Sequence, residues 1–364
     1  MKELLDDLNR WSSAGESVAI ARVIELEGSG PRLPGAAMAV TGSGDVRGSV
    51  SGGCVESSLV HQAEQILNGE PAHIATFGFS DDDAFAVGLT CGGTLHCYVE
   101  RFEPGAWFDA LSDALAAQQP VALLTVVDGV GVGAKMVLVA DGATVGSLGS
   151  AELDRVVARD AVGELNAGRS GIRHYGEDGQ ARESAVSVFI ESFAAPPQLV
   201  IFGAVDFTAA LARVGRVLGF RVTVCDAREV FATAQRFPMA DEVVVAWPDR
   251  FLEENGSALG PRDAVCVLTH DAKFDVPALM AAFATDVGYV GAMGSRRTHL
   301  HRTERLVEAG ATDTDLARLR SPIGLDLGAR TPEETSISIL AEIIAQRTGR
   351  HVAALRDTAG PLHD

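Results

Sequence analysis

The stretch LVIFGAVDFTAALARVGRVLGFRVTVCD, residues 199–226, decides the fold of the second half of the chain. It holds an apolar run at 199–203, a helix-like segment at 207–218 and a second apolar run that ends at Asp226. Both runs are continuously apolar, which is typical of parallel strands covered on both faces. A strand, a crossover helix and a second strand predict a doubly wound α/β sheet.

The alternation of strands and helices continues toward the C-terminus. Three further apolar runs and a closing helix follow, at residues 243–247, 265–269, 289–293 and 332–347. We assign this domain to residues 199–350, after a proline-stiffened linker at 194–198 and before a tail at 351–364. The glycine-rich loop that precedes the closing helix is not explained by the helix-start residues Thr331, Pro332 and Glu334.

Residues 1–193 are predicted to form a separate α+β domain with an internal repeat. The segment GAAMAVTGSGDVRGS, residues 35–49, aligns without gaps on GAKMVLVADGATVGS, residues 133–147. A strand precedes each segment and a helix follows it, so we predict similar halves at about 17–100 and 120–192. A chance match over so short a window is the alternative.

Composition and charge limit the classes of partner. The chain has 364 residues, of which 47% are hydrophobic and 22% charged, enough for two globular cores. A net charge of −19 argues against nucleic acid and anionic membranes as partners. No apolar run approaches about 18 residues and the N-terminus lacks a basic leader, which predicts a cytoplasmic protein. Five scattered cysteines indicate neither a disulfide framework nor structural zinc.

The first repeat carries a thiol in a glycine-rich turn. The stretch GSVSGGCVE, residues 48–56, contains Gly52, Gly53, Cys54 and Glu56 and leads into a predicted helix at 55–67. A helix N-terminus stabilises a thiolate, so Cys54 is a candidate to attack electrophiles or bind a soft metal. A small buried cysteine in a bend is the alternative.

Two other features of the first repeat could belong to the same site. A second thiol stands beside paired glycines in Cys91-Gly92-Gly93. The two glycine-cysteine turns are predicted to form opposite sides of one binding site. Arg32 lies in a loop stiffened by prolines, where a held guanidinium loses little entropy on pairing with an anion. An ordinary solvent-facing arginine is the alternative for Arg32. The second repeat has Ser150-Ala151-Glu152 in place of Gly52-Gly53-Cys54.

The first turn of the C-terminal sheet is a poor match to a dinucleotide site. Asp226 stands 23 residues after Gly203, where an acid would hold a ribose hydroxyl. Val205 replaces the glycine that lets a pyrophosphate approach, and Asp206 adds negative charge there. NAD(P) is therefore disfavoured, and Arg228 either favours a phosphate or pairs with a surface carboxylate.

Later loops of this sheet are better equipped to bind an anion. His270 and Asp271 follow the fourth predicted strand, and Gly294, Ser295, Arg296 and Arg297 follow the fifth. Ligands of doubly wound sheets bind at the carboxyl ends of the strands, and helix N-termini favour anions. The alternatives are a helix cap for Asp271 and an exposed helix face for the two arginines.

The ordered set of motifs resembles the XdhC/CoxI family of molybdenum-hydroxylase accessory proteins, over about residues 17–347. The motifs are GSGPRLPGAAM, GSVSGGCVE, TCGGTLHCYVE, VTVCDAR, LTHDAKFDVPAL, YVGAMGSRRTH and SPIGLDLGARTPEE. The resemblance implies an XdhC/CoxI domain followed by a Rossmann-like domain. Two departures are Ser51, where the family commonly has glycine, and Val205-Asp206, where it commonly has Gly-His.

The resemblance also implies a function. Such a protein binds molybdenum cofactor, supports its sulfuration with sulfur from a cysteine desulfurase, and delivers it to a hydroxylase apoenzyme; a homodimer is compatible with this role. We expect Cys54 nearest the metal or a transferred sulfur, Cys91 beside it, and the remaining glycines, arginines and polar residues named above at the cofactor. The alternatives are an NAD(P)-dependent oxidoreductase with Asp226 on ribose and His270 as acid or base, and a docking scaffold without catalysis.

Overall fold

The computed structural model describes residues 1–28, 30, 32–78, 93–180, 183–350 and 352–357. Two compact units are present, and the chain passes from the first to the second between Ala195 and Pro196. Within the described residues, no helix is long and apolar enough to cross a bilayer.

The first unit holds two five-stranded sheets, one from each half of the predicted repeat. The first sheet consists of β1 (Val18–Glu27), β2 (Ala37–Thr41), β3 (Val46–Gly48), β4 (His73–Phe77) and β5 (Thr94–Arg101). The second consists of β6 (Val121–Gly129), β7 (Lys135–Val139), β8 (Thr144–Gly146), β9 (Gly171–Tyr175) and β10 (Val186–Phe193). Their spatial orders are β3-β2-β1-β5-β4 and β8-β7-β6-β10-β9, so the internal repeat is confirmed strand by strand.

The repeat extends to an irregularity in the strand pairing. The pairing of β1 with β5 shifts register between Val23 and Glu25, and that of β6 with β10 shifts between Ser187 and Val188. The first shift leaves Ile24 of β1 without a partner in β5, and the second leaves Val127 of β6 without a partner in β10. Because β1 and β6 occupy the same place in the two sheet orders, the halves share one local backbone design.

The helices of this unit are α1 (Leu5–Ser13), α2 (Glu56–Leu67), α3 (Ala106–Ala116) and α4 (Ala151–Ala167). Alternate residues of each central strand face opposite sides, so each sheet has an outer and an inner face. The outer face of the first sheet packs against α2 and that of the second against α4. The inner faces contribute to shared clusters, for example Ile24 and Tyr98 with Val127 and Phe189.

The second unit is the predicted parallel sheet. Its strands are β11 (Gln198–Phe202), β12 (Arg221–Asp226), β13 (Glu242–Val245), β14 (Ala264–Val267), β15 (Tyr289–Ala292) and β16 (Leu319–Arg320). The spatial order is β13-β12-β11-β14-β15-β16, with every described pairing parallel. The order reverses between β11 and β14, which makes the sheet doubly wound as predicted.

Helices cover both faces of this sheet. They are α5 (Asp206–Val217), α6 (Pro248–Asn255), α7 (Ala272–Phe283), α8 (Arg296–Glu308), α9 (Asp313–Arg318) and α10 (Pro332–Thr348). One apolar cluster joins α6, α7 and α8 to the sheet, and another joins α5 and α10 to the opposite face. The N-terminus of α10 has the predicted capping box of Thr331 and Glu334, with Pro332 as its first residue.

The glycine-rich loop that precedes α10 is held against this helix by hydrogen bonds at Gly324 and Leu325. The N–H of Gly324 donates to Glu342 at 2.8 Å, and the Ser338 hydroxyl donates to the carbonyl of Leu325 at 2.6 Å. The loop therefore lies along the helix that it introduces, with its backbone groups satisfied by helix side chains.

Candidate functional site

The loop that carries Cys54 is organised around the carboxylate of Glu56, the first residue of α2. One carboxylate oxygen accepts the N–H groups of Val50, Ser51 and Gly52 at 2.9–3.2 Å. The other accepts the N–H of Gly53 at 2.9 Å. The sequence analysis places Gly52 and Gly53 at the cofactor, but in the structure the N–H groups of this loop already donate to the Glu56 carboxylate.

Hydroxyl groups complete this arrangement. The Ser49 hydroxyl donates to Glu56 at 2.6 Å, and Ser51 donates to the other carboxylate oxygen. The oxygen of Ser51 also accepts the N–H groups of Cys54 and Val55 at 3.0 Å. Ser51 thus has a structural task that the glycine common in the family cannot perform.

The charge of Glu56 is strongly stabilised. Burial alone would raise the pKa of this carboxyl, but the hydroxyls of Ser49 and Ser51 and the loop N–H groups outweigh it, so the pKa lies far below 4.5. The carboxylate is therefore ionised at neutral pH and holds the loop as a fixed negative charge.

A comparison of the two repeats shows why the loop that carries Cys54 is open. Asp154 occupies the place of Glu56 and accepts the N–H of Leu148 at 2.6 Å. Helix α4 begins at Ala151, the counterpart of Gly53, whereas α2 begins only at Glu56. The first repeat therefore has an open loop where the second has a helical turn.

Glycine permits the open loop. Gly52 and Gly53 have φ values of +78° and +123°, which residues with a side chain rarely adopt. Counting only the described residues, a Cβ at either position would meet no atom within 4 Å, which leaves space for a ligand above this part of the loop.

Cys54 is the accessible thiol among the described cysteines. It is half-buried and packs against the core cluster under α2, whereas Cys97, Cys225 and Cys266 are buried. Burial raises the pKa of Cys97 and of Cys225 to about 12. Within the described chain, Cys54 is therefore the cysteine that can present its thiol to a ligand.

Other predicted residues of the first unit lie at the same end of the first sheet or outside the described residues. Cys91 and Gly92 fall in the undescribed segment, so a shared site with Cys54 stays a prediction. Gly93 immediately precedes β5, whose Leu95 belongs to the cluster against which Cys54 packs.

Arg32 lines a different surface. It borders a cavity of about 420 Å³ together with Gly35, Ser170, Glu191 and Ser192, and Cys54 does not line this cavity. Among the described residues, the Arg32 guanidinium pairs with no acid and the Ser192 hydroxyl has no hydrogen-bond partner. An anion could contact both groups there, although the structure does not bring Arg32 and Cys54 into one pocket.

Sequence reasoning missed a buried ionic cluster between the two sheets. Arg22, fully buried, donates to Glu100 at 2.8 Å, to Glu191 at 3.4 Å and to Thr125 at 3.1 Å. Lys135 donates to the second oxygen of Glu100 at 2.6 Å. Glu100 pairs with β1 at the position where Glu191 pairs with β6. The repeat thus places a glutamate at the same position of each half, and this coincidence was the signal in the sequence that could have revealed the cluster.

The carboxylate at the first turn of the parallel sheet is hydrogen-bonded to the protein itself, and we call this turn closed. Asp226 accepts the N–H of Ala204 at 2.7 Å and forms two side-chain hydrogen bonds with Arg228, at 2.7 and 2.9 Å. Burial would raise the pKa of Asp226, but Arg228 and the backbone N–H groups lower it overall. Both oxygens of Asp226 thus already have protein partners, and its assignment to a ligand stays a prediction.

Gly203 and Arg228 also have structural explanations. A Cβ on Gly203 would lie 2.8 Å from the side chain of Thr269 and 3.1 Å from its backbone nitrogen. The close approach of the β11 and β14 turns therefore already requires glycine at this position, and a role of Gly203 at the cofactor stays a prediction. Arg228 pairs with the buried carboxylate of Asp226, not with the surface carboxylate that the sequence suggested as one alternative.

The turns after β14 and β15 carry the remaining predicted residues. Asp271 caps α7 by accepting the N–H of Lys273 at 3.1 Å, which confirms the structural alternative. Ser295 caps α8 by accepting the N–H of Thr298 at 3.1 Å, and Gly294 precedes it in the turn. Arg296 and Arg297 are exposed at the start of α8.

A groove of about 230 Å³ lies between α7 and α8. We call it the α7–α8 groove; the charged and imidazole side chains that line it are His270, Asp275, Arg297, His301, Arg302 and Arg305. Arg296 does not line it. Two predicted residues, His270 and Arg297, are thus brought together, and three basic residues of α8 that the sequence did not single out join them.

The fold and these sites define a class: a repeated α/β unit that presents the thiol of Cys54, followed by a doubly wound sheet whose first-turn carboxylate, Asp226, is hydrogen-bonded within the protein. The XdhC and CoxI family matches residues 11–78 and 114–176, and the XdhC Rossmann domain matches residues 199–343. The chain belongs to the XdhC/CoxI family.

Relatives with informative names cover nearly the whole chain. A probable xanthine dehydrogenase subunit of Bacillus subtilis is 27% identical over 336 residues, which span 91% of this chain and 94% of the relative. The molybdenum cofactor insertion chaperone PaoD of Escherichia coli is 23% identical over 334 residues, spanning 92% and 85%. A crystal structure named as a xanthine dehydrogenase from Bacillus halodurans matches with a TM-score of 0.65 at 25% identity, covering 96% of this chain and 97% of the other.

Proposed function

We propose that the chain is an accessory factor for a molybdenum hydroxylase: it binds molybdenum cofactor, supports its sulfuration and delivers it to the apoenzyme. The observation that carries this proposal is the presentation of Cys54 on a loop held open by Glu56. Relatives named as a cofactor insertion chaperone and as part of a xanthine dehydrogenase support it.

The residues present fit an anionic, thiophilic ligand. Cys54 offers a soft sulfur donor, and the space above Gly52 and Gly53 admits a ligand to it. Arg32 offers a guanidinium that no described acid neutralises. The cofactor, when bound, would supply molybdenum and its exchangeable sulfido ligand; Cys54 would lie nearest the metal or the transferred sulfur, and Cys91 would lie beside it.

A hydroxylase apoenzyme and a cysteine desulfurase are the partners that this function requires, and a homodimer is compatible with it. The oxidoreductase alternative is disfavoured by the closed turn at Asp226. A docking scaffold remains distinguishable, because it would bind its partner independently of Cys54 and Arg32.

Cofactor capture tests the proposal. Purified protein is incubated with freshly released molybdenum cofactor and desalted, and retained molybdenum and oxidised pterin are assayed. We expect near-stoichiometric retention by the wild type and loss of retention in Cys54→Ser and Arg32→Ala. Arg47→Ala, which removes an exposed arginine of the same unit, is the matched control and should retain the cofactor.

A second readout separates delivery from binding. Activation of a hydroxylase apoenzyme by loaded protein should fail with Cys54→Ser and proceed with the Arg47→Ala control. Full activation by Cys54→Ser would exclude a role for this thiol. Absence of retention by the wild type, under conditions where a known cofactor carrier retains cofactor, would overturn the proposal.

A further inference from the structure

The α7–α8 groove is basic in a strongly acidic protein. Arg297, His301 and Arg305 follow one another at intervals of four residues, so they lie in a row along one face of α8. Four residues of helix rise about 6 Å, which spaces the three side chains along the groove. A net charge of −19 makes such a row unexpected unless it has a local task.

Acidic side chains of the described residues leave most of this positive charge without an ion-pair partner. Among the described residues, the guanidinium groups of Arg297 and Arg305 form no ion pair, and the acidic partner of His301 is Glu304, at 3.5 Å. The carboxylate in the lining, Asp275, accepts hydrogen bonds from Arg302 at 2.9 Å and from the Thr269 hydroxyl. The groove therefore keeps an uncompensated positive charge.

A buried arginine adds an independent sign of a missing partner. Arg302 lines the groove although its side chain is only 3% exposed, and its Nε has no hydrogen-bond partner in the described part of the chain. Its terminal nitrogens contact Asp275, Ser321 and the carbonyl of Met293. Buried donors without an acceptor are rare in folded proteins, because each loses its hydration without compensation.

The other candidate phosphate position of this sheet has the opposite charge. The turn after β11 presents Asp206 as the first residue of α5, and Asp226 takes the N–H of Ala204. Helix α8 has no acidic residue in its first turn. Within this unit, an anion is repelled at the first turn and attracted at the start of α8.

From this geometry we propose that the α7–α8 groove binds the phosphate end of a small phosphorylated ligand, between Arg297, His301 and Arg305. The volume of about 230 Å³ suits a phosphate or diphosphate group rather than a whole dinucleotide. The phosphate site of this doubly wound sheet has moved from its first turn to the groove beside its fifth strand. The inference concerns this unit alone and does not depend on molybdenum.

Calorimetric titration of the full chain with inorganic pyrophosphate tests the site. We expect saturable binding that weakens with added salt, and a Kd raised about tenfold by Arg297→Gln and by Arg305→Gln. Arg296→Gln is the matched control, because it removes the same charge from the same helix outside the groove; its Kd should stay within about twofold of the wild type.

Parallel titration with ADP identifies the source of the phosphate. Tighter binding of ADP than of pyrophosphate indicates a nucleotide, whereas equal or weaker binding indicates the phosphate end of another ligand; both outcomes support the groove if the Arg297 and Arg305 variants weaken it. No binding of pyrophosphate by the wild type, or equal weakening by Arg296→Gln, overturns the proposal. Since no molybdenum is present, this result is independent of the cofactor-capture experiment.

Discussion

The N–H of Gly53 donates to the Glu56 carboxylate at 2.9 Å, so the residue just before Cys54 is tied to the first residue of α2. This bond fixes the open loop in position relative to its own helix. The acidic residue at the helix start thus does what a bound anion does at other helix N-termini. Cys54 is consequently held in place before any ligand arrives.

We expect Glu56→Gln to destabilise the first unit by about 2–4 kcal/mol, because an amide offers one acceptor where the carboxylate serves several N–H and hydroxyl donors. Urea unfolding in a Trp247→Phe background measures this change, since the remaining tryptophans, Trp11 and Trp107, lie in the first unit. Glu64→Gln, on the exposed side of the same helix, should have little effect.

The stabilisation by Glu56 should also depend on pH. The pKa of the folded carboxyl lies below its ordinary value of 4.5, so its contribution is fully present above that value and is lost as the pH falls below it. The stability difference between wild type and Glu56→Gln should therefore shrink in acid. A constant difference down to pH 3 would contradict the central role of this carboxylate.

Native-state alkylation should distinguish the described thiols. Iodoacetamide at pH 8 should modify Cys54, whereas Cys97, Cys225 and Cys266 should react only after unfolding, because they are buried and burial raises their pKa. Peptide mapping by mass spectrometry checks this order of modification and measures the modification of Cys91 separately. Rapid modification of Cys97 in the folded protein would contradict its burial in the core cluster under α2.

Arg22 should be essential to the packing of the two sheets. Arg22→Met removes the cation that Glu100 and Glu191 share, and we expect a loss of about 3–5 kcal/mol, as for breaking other buried ion clusters. The same tryptophan assay of urea unfolding measures it. Arg47→Met, at an exposed position of β3, should change stability by less than about 0.5 kcal/mol. Equal effects of both substitutions would refute a special contribution from the buried cluster.

The fold could be predicted because its signals are local and periodic. Continuous apolar runs mark the parallel strands, and the alignment of residues 35–49 on 133–147 identifies the repeat. The short edge strands β3 and β8 could not be predicted in the same way, since three exposed or half-exposed residues carry little hydrophobic pattern.

The site was less predictable, because the sequence shows which polar groups are present but not which protein groups form hydrogen bonds with them. The N–H groups beside Gly52 and the carboxylate of Asp226 are plausible ligand contacts by sequence, yet both have protein partners. Those partners, Glu56 and Ala204, are visible in the sequence, but their hydrogen bonds depend on backbone geometry. The row from Arg297 to Arg305 follows helical spacing and could have been found from that period.

The closed first turn of the parallel sheet leads to a last prediction, that NADH does not bind there. Ligand binding raises the melting temperature by an amount set by the ratio of ligand concentration to Kd, so NADH at about 1 mM should leave the melting temperature unchanged. The reason is that Ala204 and Arg228 occupy the Asp226 carboxylate that would otherwise hold ribose. A saturable rise that Asp226→Asn abolishes would instead restore the oxidoreductase alternative. A rise that Asp226→Asn leaves intact but Arg297→Gln removes would place NADH in the α7–α8 groove by its diphosphate, since this arginine lies outside the first turn.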